Sequence, residues 1–314
     1  MTRAAGAWRL AWVLLSCVLW LAGSGAARAS LLRHAGDAPE DDSAAPVIRL
    51  WLRDPLPLHA ASALVIDARS HRVLLRKNAD QVRPIASLTK LMTAVVVLDA
   101  HQPMNQRISI TRADIDTLKW SRSRLRPGMR FTRARLLQLA LMSSENRAAH
   151  ALARHYPGGL RACLRAMNLE ARRLGMSRTH YVDPTGLSPA NHSDAHDLAL
   201  LVEHASRYPT IRRDTTHHGT VVHALGMALP YRNSDHLLLS GDWHMVVSKT
   251  GFINEAGRCL AFDAVLRGRP VIVVLLDAWG RYGDFVDALH IRQWLRAQST
   301  VQWARLPERA PLLH

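Results

Sequence analysis

Ala63-Leu64-Val65-Ile66-Asp67 and Arg72-Val73-Leu74-Leu75, joined by a short polar turn, read as two strands of a hairpin. Far downstream Val271-Ile272-Val273-Val274-Leu275-Leu276 is another run of the same kind. Short runs of β-branched and aliphatic residues bounded by turn formers fit a pleated, buried surface. Trp243 to Ser248 and Arg258 to Leu266 also read as strands. Between the early and late strands the period changes. Leu88, Leu91, Met92, Val95, Val96 and Leu98 recur at helical spacing, and further helical patterns cover Arg133 to Met142, Glu145 to His155, Leu160 to Leu174 and Asp194 to Ser206. A last helix is predicted over Asp284 to Ala297. Arg107 to Thr132 reads as irregular, with a turn at Pro127-Gly128, and the basic, His-rich stretch before Trp243 shows no period. Strands at both ends with helices between them predict an α+β fold: an antiparallel sheet built from distant segments and flanked by helices, plus an inserted all-helical lobe.

The composition permits such a core. Of 314 residues 48% are hydrophobic and 21% charged, and 17 Gly with 15 Pro are ordinary numbers, which excludes fibrous and wholly disordered chains. Arg3 and Arg9, an apolar run from Leu10 to Ala22 and the small residues of Ala27-Arg28-Ala29 read as a signal peptide, residues 1–29, cleaved after about Ala29. Residues 30–58 mix acids, Ala and Pro without a period and read as a flexible leader. The expected domain is then 59–298, with a tail over 299–314, in an exported, periplasmic protein. The formal charge is +16, and removing residues 1–29 takes away three Arg and no acid, leaving +13. Export makes nucleic acid a poor partner, and no recognition motif for it is visible. An anionic envelope suits the charge. Cys163 and Cys259 remain after cleavage, too few for a disulfide scaffold, and whether they bond is left open.

Nearly all the positive charge is Arg; the lysines are Lys77, Lys90, Lys119 and Lys249. Lys is the cation whose pKa burial can lower until it acts as a base. In Ser87-Leu88-Thr89-Lys90 the hydroxyl and the amine lie three apart on one helix face, so a neutral Lys90 would activate Ser87 as a nucleophile. The plain alternative is a Ser cap beside a surface Lys. Ser144-Glu145-Asn146 falls in a turn between helices, where Ser144 could relay a proton and Asn146 hold a substrate amide, or Ser could simply cap a helix. Glu145 reads as a helix-start acid. Lys249-Thr250-Gly251 ends the Trp243 to Ser248 strand; Lys and Thr suit a carboxylate, and Gly admits a close backbone. Each pattern is weak alone. Their order and their placement on helix, turn and strand are specific together. The spacing of His192 and His196 does not amount to a metal site, and neither metal nor cofactor is expected.

With these residues quoted, the chain resembles the low-molecular-mass penicillin-binding proteins, serine D-alanyl-D-alanine peptidases of the D-alanyl-D-alanine carboxypeptidase A family. The likeness extends through Arg83-Pro-Ile-Ala-Ser-Leu-Thr-Lys-Leu-Met, Leu141-Met-Ser-Ser-Glu-Asn-Arg-Ala-Ala, Asp183-Pro-Thr-Gly-Leu and Lys249-Thr-Gly-Phe-Ile-Asn-Glu-Ala-Gly-Arg-Cys, roughly Ala61 to Ala297. Within the family it looks most like the D-alanyl-D-alanine endopeptidase branch, which cuts cross-links between peptidoglycan stem peptides. The resemblance implies a DD-peptidase/β-lactamase-like fold and β-lactams as covalent inhibitors. It implies Ser87 as acyl-enzyme nucleophile, Lys90 as its proton acceptor, Ser144 and Asn146 in proton relay and substrate holding, and Lys249 and Thr250 in carboxylate recognition. The backbone N–H groups of Ser87 and Phe252 are the implied oxyanion hole. Asn233-Ser234-Asp235 departs from the pattern, since a second Asn is expected at Asp235.

A model Lys amine has a pKa of about 10.4, so Lys90 must be depressed to serve as a base, and Lys249 is expected to be the second cation that helps. The rivals in the same fold are a D-Ala-D-Ala carboxypeptidase and a β-lactamase; the rival of another class is a non-catalytic envelope-binding module. A mature charge of +13 predicts salt-sensitive attraction to purified cell wall. Pulldown at low and at high salt checks it: retention is expected to fall with salt, and equal retention refutes the electrostatic reading.

Overall fold

The computed structural model describes residues 56–241 and 243–298. The expected signal peptide, residues 30–55 of the expected leader and the tail from residue 299 lie outside the described residues. The folded part reaches back into the predicted leader, because Leu56 and Leu58 pack against the core.

The early hairpin forms as read, with β1 at Ala60–Asp67 and β2 at Val73–Lys77. β3 (Arg83–Pro84) leads through a 3-10 turn at Ala86–Leu88 into α1 (Thr89–Asp99). β4 (Arg107–Ser109) and β5 (Arg130–Thr132) bracket a loop, and α2 (Arg133–Met142), α3 (Asn146–Arg154) and α4 (Gly159–Arg173) follow. β6 (His192–Ser193), α5 (Ala195–Ala205), α6 (Pro209–Thr216), β7 (Gly219–Ala224), β8 (Met227–Arg232) and the short α7 (Leu237–Ser240) lead to the long strands. These are β9 (His244–Ile253), β10 (Gly257–Leu266) and β11 (Arg269–Ala278), closed by α8 (Gly283–Ala297).

The main sheet has the order β2-β1-β11-β10-β9, antiparallel throughout, with Val65 opposite Val273 and Phe262 opposite Val273 on its other side. Thus the first hairpin pairs with the last strand, as strands at both ends of the chain predict. Successive side chains on a strand point to opposite faces. Val271, Val273 and Leu275 therefore pack with Val65, Phe262 and the α8 residues Ala288, Ile291 and Leu295. Ile272, Val274 and Leu276 pack on the other face with Leu64, Ile66, Ala261 and α1. Burial on both faces explains why the strand reads as continuously apolar. All residues of α1 from Thr89 to Val97 are buried, so it is an internal helix around which the helical lobe is built.

Two stretches depart from the sequence reading. The region read as irregular contains β4 and β5, which pair with each other but are too short to show a period. The unpatterned basic stretch contains α6 and the β7–β8 hairpin. Pro230 within β8 and an exposed Val221 on β7 hide this hairpin from period-based reading. Its turn uses Leu225 and Gly226 at φ +49° and +73°, the left-handed pair a tight hairpin needs. Cys163, on α4, and Cys259, on β10, are both buried and free.

One buried carboxylate anchors α8 to the sheet. Asp287 Oδ1 accepts from His59 N and lies 2.8 Å from His59 Nδ1, while Oδ2 accepts from Ala60 N at 2.7 Å. Asp287→Ala orphans a buried backbone N–H and is expected to cost about 1–3 kcal/mol, read as a lower urea midpoint. Reaction of the still-folded protein at Ser87 is expected to be unchanged.

Candidate active site

Ser87 stands on a turn that two glycines allow. Ala86 takes φ +45°, and the backbone then tightens into the 3-10 turn before α1. A Cβ on Gly186 would sit 1.8 Å from Ala86 O, and one on Gly251 would sit 2.9 Å from Ser87 N. The loop at Gly186 and the edge strand β9 at Gly251 thus press on the turn, and only glycine fits either contact. From sequence the room at Gly251 is expected to serve a substrate backbone; in the structure the chain's own Ser87 turn occupies it.

Lys90 lies one turn on from Ser87. Its Nζ is 2.7 Å from Ser87 Oγ, 2.7 Å from Asn146 Oδ1 and 2.6 Å from Thr185 O. A neutral amine has two N–H donors and one lone pair. Asn146 Oδ1 and Thr185 O can only accept, so they take both donors and leave the lone pair for the Ser87 hydroxyl. Lys90 is 1% exposed, and burial lowers its pKa to about 7 against the opposing pull of Asp183 and Glu145.

Burial is thus the first cause of the depression of Lys90. Lys249 is equally buried, and its pKa lies well below the ordinary value because of burial first and the charge of Lys90 second, with Asp235 opposing. Two buried amines thus compete for protonation, and neither is a settled cation in the free site.

Thr185 owes its place to the Asp183-Pro-Thr-Gly-Leu loop, to which the sequence reading assigns no task. Asp183 Oδ1 accepts from Thr185 N and Gly186 N, and Oδ2 from Ser188 N. Asn191, fully buried, accepts from the N–H groups of Val182 and Asp183 through Oδ1 and donates to Asp183 O and Thr89 Oγ1 through Nδ2. The only signal for Thr185 is the quoted motif, since its carbonyl is the group used and every residue has one.

The Ser-Glu-Asn triplet divides its side chains. Ser144, at φ +57°, and Asn146 line the cleft at Ser87. A non-glycine residue held left-handed is a strained position that often marks a site. Asn146 is engaged at both ends, because its Nδ2 donates to Ser121 Oγ at 2.9 Å. Glu145 caps α3 through Arg147 N and takes the Tyr231 hydroxyl at 3.4 Å, which agrees with its reading as a helix-start acid.

β9 runs on to Ile253, so Lys249-Thr250-Gly251 lies within a strand and does not end one. Thr250, Gly251 and Phe252 line the cleft, whereas Lys249, 1% exposed, does not. Thr250 Oγ1 donates to Ser234 Oγ at 2.6 Å, and Ser248 Oγ donates to Asp235 Oδ2 at 2.5 Å. The Asn233-Ser234-Asp235 segment is therefore bonded across to the strand, and Asp235 supplies a carboxylate near Lys249. The cleft has a volume of about 660 Å³. Arg258, which the quoted Lys249 to Cys259 stretch contains without a role assigned to it, also lines it, as do Arg281 and Tyr282, which the sequence reading does not single out. Arg258 is placed over the Phe252 ring, 5.1 Å from its centroid.

A hydroxyl facing the lone pair of a buried amine can add to a carbonyl held in the cleft. The amine must be neutral to accept the proton, so acylation by a penicillin is expected to fall as pH drops through about 7 and to level off above it. Stopped-flow acylation rates between pH 5 and 9 check this, and a rate that stays flat until above pH 9 refutes it.

The sequence and the structure point to the same relatives. Residues 52–280 match the peptidase S11 family, described as D-alanyl-D-alanine carboxypeptidase. The chain is 42% identical over 238 residues to the D-alanyl-D-alanine endopeptidase of Escherichia coli strain K12, covering 75% of this chain and 77% of that protein. It is 44% identical over 255 residues to the D-alanyl-D-alanine endopeptidase of Pseudomonas aeruginosa, covering 81% and 82%. The crystal structure of the Streptomyces K15 DD-transpeptidase superposes with a TM-score of 0.71 at 27% identity, over 77% of this chain and 98% of that one. The fold is the one the sequence predicted, and the chain belongs to the S11 family of D-alanyl-D-alanine peptidases.

Proposed function

We propose that the chain is an exported, periplasmic serine D-alanyl-D-alanine endopeptidase that hydrolyses peptide cross-links of peptidoglycan in cell wall remodelling. The observation that carries the proposal is the fully buried Lys90 amine, 2.7 Å from Ser87 Oγ with both of its N–H donors spoken for. In the proposed reaction Ser87 Oγ bonds to the carbonyl carbon of the D-alanine at the cross-link while its proton passes to Lys90 Nζ. The carbonyl electron pair moves to oxygen, held by the backbone N–H groups of Ser87 and Phe252. Collapse breaks the C–N bond, and the leaving amine takes the proton from Lys90 by way of Ser144. Water then attacks the acyl-enzyme and gives a proton to Lys90, and collapse breaks the ester C–O bond as Lys90 returns that proton to Ser87 Oγ, releasing the acid.

Thr250 meets a substrate carboxylate at the cleft wall in this reading, and Lys249 acts from behind it. The arriving negative charge favours the protonated form of Lys249, so binding and proton uptake are coupled. Asn146 holds the substrate amide by giving up Ser121 as its partner. Endopeptidase is favoured over carboxypeptidase because the relatives in Escherichia coli and Pseudomonas aeruginosa reported above carry the endopeptidase name. The basic surface supplies a peripheral contact with the anionic envelope.

A β-lactam presents a strained amide to the same hydroxyl and acylates it. Mass spectrometry of the intact protein with a penicillin is expected to show an adduct that Ser87→Ala abolishes. Digestion of purified wall is expected to deplete dimeric muropeptides. An adduct accompanied only by release of terminal D-Ala from monomers makes the enzyme a carboxypeptidase, and an adduct on the Ser87→Ala protein refutes the assigned nucleophile.

A further inference from the structure

Beside the serine cleft lies a second groove of about 1040 Å³, and Ser121 and Ser234 line both. Four arginines line it, Arg122, Arg124, Arg147 and Arg232, with Trp120 and Tyr231 as aromatic walls. Two acids are present, and both are committed elsewhere. Asp116 Oδ1 accepts from the N–H groups of Leu118 and Lys119, and Oδ2 accepts from Ser121 N. Glu145 is 7% exposed, caps α3 and takes the Tyr231 hydroxyl.

The arginines are not committed in the same way. Arg122, Arg124 and Arg232 are exposed. Arg124 lies over the Tyr231 ring, 5.0 Å from its centroid, which holds one guanidinium plane over the groove. Arg147 is anchored by Nη1 donating to Leu125 O at 2.5 Å and its Nε is buried, so the exposed Arg122, Arg124 and Arg232 are the ones free to meet a ligand. Trp120, 74% exposed at φ +53°, turns its indole outward. Several planar donor forks with spare N–H groups, set among aromatic faces, suit carboxylates presented on a peptide.

We propose that this groove is a second subsite, which takes further carboxylates along one peptide branch of a cross-link while the scissile amide and the carboxylate met by Thr250 lie in the serine cleft. The proposal rests on the endopeptidase reading, because only a substrate with two peptide branches needs both grooves at once. It makes the groove a determinant of specificity: a single short peptide fills the serine cleft and gains nothing from the arginines, whereas a branched acidic one gains from both. A penicillin, small and confined to the cleft at Ser87, does not reach them.

The test uses the double substitution Arg124→Ala, Arg232→Ala, which touches neither Ser87 nor Lys90. In the Ser87→Ala background, calorimetry is expected to show binding of a tetra-glutamate peptide, weakened about tenfold by the double substitution, and no binding of tetra-glutamine. In the protein with Ser87 intact, the double substitution is expected to lower kcat/KM on a cross-linked dimer about tenfold, mainly through KM, and to leave penicillin acylation within about twofold. Unweakened tetra-glutamate binding by the double variant, or equal binding of tetra-glutamine, overturns the subsite. Tighter binding of inorganic polyphosphate than of tetra-glutamate overturns it too, by making the groove a phosphate site. Absence of dimer hydrolysis by the unsubstituted protein instead refutes the endopeptidase reading, and calorimetry then still decides the groove by itself.

Discussion

The Lys90 amine, buried one turn from Ser87, imposes a constraint that shapes the surrounding chain. A protonated ammonium removed from water is costly, so the folded environment favours the neutral form. A neutral amine is useful only if its lone pair faces the hydroxyl. That condition is met by supplying two acceptors and no competing donor, Asn146 Oδ1 from the start of α3 and Thr185 O from a distant loop. Each acceptor is in turn held: Asn146 by Ser121, and Thr185 by the N–H groups that Asp183 gathers. Asn191 closes the network by tying the Asp183 loop to Thr89 on α1 itself.

The rest of the site is a problem of close approach. The Ser87 turn must sit against an edge strand on one side and the Gly186 loop on the other, and side chains at either contact would collide with backbone. Because β9 is the edge of the sheet, one of its hydrogen-bonding sides has no strand partner among the described residues and faces the cleft region. The five-stranded sheet is the rigid part that makes this approach reproducible. Its inner strands β1, β10 and β11 are buried on both faces, and β9 is held in register with β10, with Lys249 opposite Ala261 and Thr250 opposite Leu260. Asp235, where a second Asn is expected by resemblance, adds a carboxylate beside the second buried amine and ties the preceding loop to Ser248.

Much of the fold was legible because its signals are periodic. The apolar run at Val271 to Leu276 and the helical spacing from Leu88 to Leu98 are local patterns, and the strand and helix lie where those patterns put them. The β7–β8 hairpin was not legible, since Pro230, exposed positions and a Leu-Gly turn remove every usual cue. Ser87, Lys90, Ser144, Asn146, Thr250 and Gly251 were nominated by side-chain chemistry at short spacing. Thr185 could not be nominated in that way, because its part is played by a carbonyl. Arg258 and Arg147 lay inside the quoted motifs with no role given to them, and Arg122, Arg124 and Arg232 were lost among the many arginines of a basic chain.

The sequence by itself determined which side chains are available, in what order, and which helices and strands carry them, since hydrophobic period and the Ser-x-x-Lys spacing are properties of neighbours along the chain. Only the tertiary structure decided that Lys90 is dry, that burial is the first cause of its lowered pKa, and that Gly251 makes room for the Ser87 turn. The physical reason is that burial and close approach depend on residues far apart in sequence: Thr185, Gly186 and Gly251 reach the turn at Ser87 only after the sheet and the helical lobe have closed around it.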